Sequence, residues 1–117
     1  MERAVVAYAN EAKIDLLGVQ PGLIDEHGAV SEPVAQAMAQ GIRASAHVDI
    51  GVGVTGIAGP GGGSPAKPVG TVAIAAATAE TMRSRLFRFN GERDQVKFQA
   101  SQAALDMVRR MVLEVRT

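Results

Sequence analysis

Apolar positions fall in blocks along the chain, and the spacing inside each block predicts its element. Residues 4–8 (AVVAY) form an unbroken apolar run, too short for a helix and read as a buried strand. In residues 11–17 (EAKIDLL), Ile14 and Leu17 share one helical face. Asn10 stands where a cap belongs, and Gly18 closes the segment. Residues 21–27 are read as a further short helical turn before Gly28.

The next helix carries more signals. Ser31 is an N-cap residue, Glu32 suits the positive end of the helix dipole, and Pro33 forfeits no intrahelical bond in the first turn. Val34, Met38 and Ile42 follow at i, i+4 and i+8. Ala35, Ala37, Ala39 and Ala44 keep the helix slim enough to lie close on a sheet, and the pattern ends near Ala46. Residues 49–54 (DIGVGV) read as a buried strand whose glycines mark close backbone approach. A loop is expected over 55–69. Residues 72–77 are a strand, and 83–89 (RSRLFRF) alternate like a strand with one wet face. The two pair antiparallel through 78–82. Residues 92–115 form one long helix whose buried stripe is Val96, Ala100, Ala104, Val108, Met111 and Val115. The order β, α, α, β, β, β, α fits α/β or α+β, with helices on a sheet.

Composition narrows the classes. At 117 residues the chain is expected to be a single domain, 1–117. Its 12 basic and 12 acidic side chains cancel, which argues against nucleic acid as a partner. There is no Cys, so no disulfide framework, thiolate metal site or Cys nucleophile. The longest apolar run, about 72–79, is far below the roughly 20 residues of a membrane span. The opening MERAVVAYA has no signal-peptide layout. A cytoplasmic protein without membrane contact is expected. His27 and His47 have no carboxylate at metal-ligand spacing, so no metal is assigned. Arg83, Arg85 and Arg88 read as a solvated strand edge.

The chemistry concentrates in residues 55–71, TGIAGPGGGSPAKPVGT, with six Gly and three Pro among seventeen residues. Successive glycine N–H groups can converge on an anion, and Lys67 adds a point charge. A Walker A loop is excluded, because Lys67 has neither the preceding Gly nor the following Ser or Thr. Gly51, Gly53 and Gly56 match GxGxxG. They lie inside a strand with no helix opening after them, so the match is taken as accidental. Ser64 has no base beside it in sequence.

That loop resembles the signature of the CinA C-terminal domain family, which includes nicotinamide-nucleotide amidases and competence-damage inducible proteins. VVAYANEAKIDLLGV resembles its first motif, HGAVSEPVAQAMAQG its second and GERDQVKFQA its closing Gly-x-Arg motif. Four motifs in order cover nearly the whole chain. The resemblance implies an α/β fold, a mixed sheet flanked by helices. It implies hydrolysis of nicotinamide mononucleotide to nicotinate mononucleotide and ammonia, without a cofactor. The partners it implies are that mononucleotide or a similar one. A homodimer is expected to cover an open sheet edge.

The resemblance assigns roles. Lys13 matches the family Lys thought to act as base; a lysine does so only where burial or a neighbouring cation favours its neutral form. Tyr8 matches the family Tyr and is expected to face substrate. Thr55 ends a strand, where its hydroxyl can orient an amide or phosphate. These three form the expected catalytic set. Asn10 is expected to cap its helix or hold Lys13. Gly56, Ala58, Gly59, Gly61 and Gly62 offer backbone donors, Lys67 a charge. Arg93 opens the last helix, where guanidinium and helix N-terminus can share a phosphate. The complete family domain begins with a helix, a strand and Ala-Glu-Ser-Cys-Thr-Gly-Gly, whose Ser is the proposed nucleophile or positioning group. A chain without Cys lacks that motif. The expectation is therefore a domain shortened at its N-terminus: an amidohydrolase, or alternatively a non-catalytic mononucleotide-binding module on the same fold.

Overall fold

The computed structural model describes residues 3–9, 22, 30–56 and 70–116. Its elements are β1 (Ala4–Ala9), α1 (Glu32–Ala46), β2 (Ile50–Gly56), β3 (Thr71–Ala77), β4 (Met82–Arg88) and α2 (Arg93–Arg116). The strands form one mixed sheet in the order β1-β2-β3-β4. β1 and β2 run parallel, with Ala9 opposite Thr55; β2–β3 and β3–β4 are antiparallel. A parallel pair needs a crossover, and α1 lies in that connection. The expected helices over 11–17 and 21–27 lie outside the described residues, except for Gly22, which is helical and exposed.

The sheet separates two apolar layers. Ile50, Val52, Val54, Val72, Ile74 and Ala76 point to one side, where Val96, Ala100, Ala104 and Met111 of α2 cover them. Ala73, Ala75 and Ala77 point to the other, against Ala35 and Ala39 of α1. β3 is consequently buried along its whole length. The expected stripe of α2 holds at four positions; Val108 is only half-buried, and the Val115 side chain lies outside the description.

Glycine sets how close α1 comes. A Cβ at Gly51 would overlap the Ala39 carbonyl oxygen and sit 2.8 Å from the Arg43 amide nitrogen. One at Gly53 would overlap the Ala35 carbonyl oxygen and sit 2.7 Å from Met38 Cβ. Backbone therefore meets backbone, with alanine and glycine removing every intervening group. The order of these contacts shows that α1 runs antiparallel to β2, so it starts at the end where β2 finishes.

Ser31 is extended and accepts the Val34 N–H at 3.4 Å, as an N-cap should. At the other end His47 takes a left-handed conformation, and its N–H donates to the Arg43 carbonyl. All four strands differ from expectation at an end: β1 runs on to Ala9 and β3 starts already at Thr71, while β2 and β4 shift as follows. β2 starts at Ile50 and continues through Thr55 and Gly56, because these pair with Ala73 and Val72 of β3. Asp49 instead accepts the Arg3 N–H at 2.9 Å. β4 is Met82–Arg88 rather than 83–89, since Thr78 closes the hairpin by accepting the Glu80 and Thr81 N–H groups at 3.2 and 2.9 Å. Among the described residues no helix is long and apolar enough to cross a membrane.

Candidate functional site

One end of the sheet collects the functional positions. β1 and β2 finish there, β3 begins there at Thr71, and β4 ends there with Arg88 opposite Thr71. Antiparallel to β2, α1 opens at the same end. So does α2, two residues after Gly91, whose φ of 112° turns the chain from β4 into the helix. Two helix N-termini and the carboxyl ends of a parallel strand pair thus meet. That is where open α/β sheets bind ligands, because helix N–H groups and strand-end side chains face a common crevice.

Tyr8 pairs with Val54 in the β1–β2 ladder, one position before the Ala9–Thr55 pair. Tyr8 and Thr55 therefore stand on adjacent strands at this sheet end, one residue apart in level. Thr55 is fully buried. Strand alternation puts it on the α1 side with Gly51 and Gly53, near the start of the helix. Gly56 closes β2 opposite Val72, so it is a ladder residue and not the loop residue expected from sequence. Arg93 is the first residue of α2. The remaining expected positions, Asn10, Lys13, Ala58, Gly59, Gly61, Gly62 and Lys67, lie outside the described residues. Both segments that carry them leave from this end, one after Ala9 and the other after Gly56.

Sequence reasoning expected Thr55 here but passed over three residues as parts of the site: Ser31, Thr71 and Arg88. Ser31, Thr55 and Thr71 are the buried polar side chains among the described residues, and each has a partner. Thr71 shares its sheet face with Ala73, hence with α1. Three buried hydroxyls therefore lie on the α1 side of the sheet, Ser31 at the helix N-cap and Thr55 and Thr71 at the sheet end where the helix begins. The signal for Thr71 was its place two residues before an inward-facing Ala; for Ser31 it was hidden by the capping role alone. The third is Arg88, exposed at the end of β4 in register with Thr71, a cation at this sheet end.

Glu32 balances the positive end of α1. Its carboxylate accepts the Ser84 hydroxyl at 2.7 Å, and Ser84 Oγ in turn accepts from Gln36 Nε2 at 2.7 Å. This chain of bonds ties the first turns of α1 to β4 and fixes the helix start over the sheet end. The assembly can hold an anion with guanidinium and helix N–H groups, and can orient a polar group with buried hydroxyls.

Comparison with known proteins places the sequence. The family model of the CinA C-terminal domain matches residues 1–112. A CinA-like protein of Geotalea daltonii is 55% identical over 109 residues, covering 93% of this chain and 26% of that protein. The chain spans about a quarter of the length of the curated relatives it matches. Among solved structures, the competence damage-inducible protein A of Klebsiella pneumoniae superposes with a TM-score of 0.79 at 35% identity, over 88% of this chain and 64% of that one. The competence or damage-inducible protein of Enterobacter asburiae gives 0.77 at 34% identity, over 89% and 65%.

Proposed function

The chain belongs to the CinA C-terminal domain family, and from that premise we propose that its sheet end binds nicotinamide mononucleotide and hydrolyses the carboxamide. Water replaces the amide nitrogen, giving nicotinate mononucleotide and ammonia. The observation that supports this reading is the meeting of Tyr8, Thr55 and the two helix N-termini at one sheet end. A mononucleotide presents a phosphate at one side and an amide at the other. Arg93 at the start of α2 suits the phosphate, since guanidinium and helix dipole both favour an anion there. Thr55 suits the amide, because a buried hydroxyl holds its orientation without a reorganisation cost. Lys13, on the segment after β1, is assigned the role of base toward water.

A second reading is binding without turnover. It is favoured by the absence of Cys from these 117 residues, which removes the Ser-containing motif that the resemblance associates with the nucleophile. One experiment separates the two. The purified chain is incubated with nicotinamide mononucleotide, product is followed by mass spectrometry, and binding is measured by calorimetry. Lys13→Ala and Arg93→Gln are run beside it. Hydrolysis is expected, lost by Lys13→Ala, with KM raised about tenfold by Arg93→Gln through one lost charge-assisted contact. Binding with no product would establish the second reading. Neither binding nor product from a folded chain would refute both.

A further inference from the structure

α2 buries one face against the sheet, and its opposite face should then be polar. It is not. Phe98, Leu105 and Leu113 are 65%, 56% and 57% exposed. At 3.6 residues per turn, Asp94, Phe98, Leu105 and Arg109 fall within about 60° of one another around the helix. They lie about 145° around the helix from the buried Val96, Ala100, Ala104 and Met111, on its outward side. Their order is acid, apolar, apolar, base, and their separations are four, seven and four residues. The pattern is a palindrome in spacing with its charges reversed between the two ends.

We propose that this face is a homodimer interface, pairing antiparallel with the same face of a second copy about a two-fold axis between Ser101 and Gln102. A two-fold contact requires a self-complementary surface. With this axis, Phe98 lies opposite the partner's Leu105 and Leu105 opposite the partner's Phe98. Asp94 lies opposite the partner's Arg109 and Arg109 opposite the partner's Asp94. Two apolar pairs are thus flanked by two ion pairs, all from one helix. Any other register, or a parallel pairing, breaks at least one of these matches. Residues Asn90, Asp94, Gln95, Phe98 and Gln99 line a groove of about 430 Å³ at the start of the stripe. Its walls are braced, since Gln95 accepts the Glu92 N–H at 2.7 Å and Gln99 donates to the Asn90 carbonyl at 2.8 Å. In the proposed register the partner's Leu113 comes level with Asn90, so the third exposed apolar side chain also finds a recess.

The test uses the full chain in sedimentation equilibrium. The wild type is expected to dimerise with concentration. Asp94→Arg and Arg109→Asp should each weaken the dimer about tenfold, because each reversal turns two attractive rim pairs into repulsive ones. Mixed together, the two variants should form heterodimers in preference to either homodimer, since both ion pairs return in that combination. The double variant should recover self-association to within about threefold of wild type. Gln102→Cys, in a chain with no other cysteine, should oxidise to a covalent dimer. All these positions are exposed, and circular dichroism confirms that each variant is folded. A chain that stays monomeric, charge reversals that leave the dimer intact, or variants that fail to associate on mixing would each overturn the proposal. So would a stripe covered by a different protein.

Discussion

Gly53→Ala probes the contact that sets the distance between α1 and the sheet. The added Cβ would overlap the Ala35 carbonyl oxygen and lie 2.7 Å from Met38 Cβ and 2.9 Å from the Ala39 amide nitrogen. Carbon contacts relax near 3.5–4.0 Å, so α1 must withdraw by about 1 Å. None of the three opposing atoms is the far end of a flexible side chain, so rotamer changes cannot relieve the overlap. Withdrawal also thins the contacts of Val34, Ala35, Met38 and Ala39, all at 0% exposure. Overpacking of this kind costs about 1–3 kcal/mol. Against it stands the smaller entropy of the unfolded chain, worth about 0.4–1 kcal/mol for Gly to Ala. The clash wins, leaving a net loss of about 1.3 kcal/mol. Urea unfolding followed by circular dichroism reads this as a midpoint lowered by about 1 M, for a slope near 1–1.5 kcal/mol/M. Gly22→Ala is the control, since nothing lies within 4 Å of a Cβ there; it should be neutral or slightly stabilising. A Gly53→Ala midpoint equal to wild type, or one lowered no more than that of Gly22→Ala, would refute the backbone-to-backbone packing of α1.

Ser84→Ala should cost about 1 kcal/mol in the same assay, because it leaves Gln36 and Glu32 half-buried without the hydroxyl that joins them. Ser84→Thr, which keeps the hydroxyl, should lose less. Gly70→Ala should cost about 2 kcal/mol or more, since φ is +96° and a Cβ would overlap the Phe89 carbonyl oxygen; loss of the Phe89 amide signal to Gly70 in hydrogen exchange should accompany it.

Local chemistry made much of this fold legible. Ser31, Glu32 and Pro33 marked the start of α1 to the residue, because capping depends on neighbours only. The alanines of α1 and the glycines of β2 foretold close packing, because small residues on facing elements have little other use. The end of β2 was misread for a nonlocal reason. Thr55 and Gly56 look like loop residues, and only pairing with Ala73 and Val72 makes them strand. Thr71 and Ser31 were missed as site neighbours for the same reason: their meeting is a property of the sheet order and the direction of α1. The exposed face of α2 was invisible to a search for a buried stripe, which asks only where the apolar residues go inward. For Asn10, Lys13 and the glycine loop, the family match extends over their positions, and their chemistry rests on that match.

β2 and β3 occupy the middle of the sheet and are covered on both faces. Their amides open to solvent only when the whole chain unfolds, whereas an edge strand such as β4 exchanges through smaller local openings. Thr55 and Thr71 ride on these two central strands. The hydroxyls at the sheet end are consequently anchored to the slowest-exchanging part of the molecule. Their relative position should persist through every fluctuation short of global unfolding.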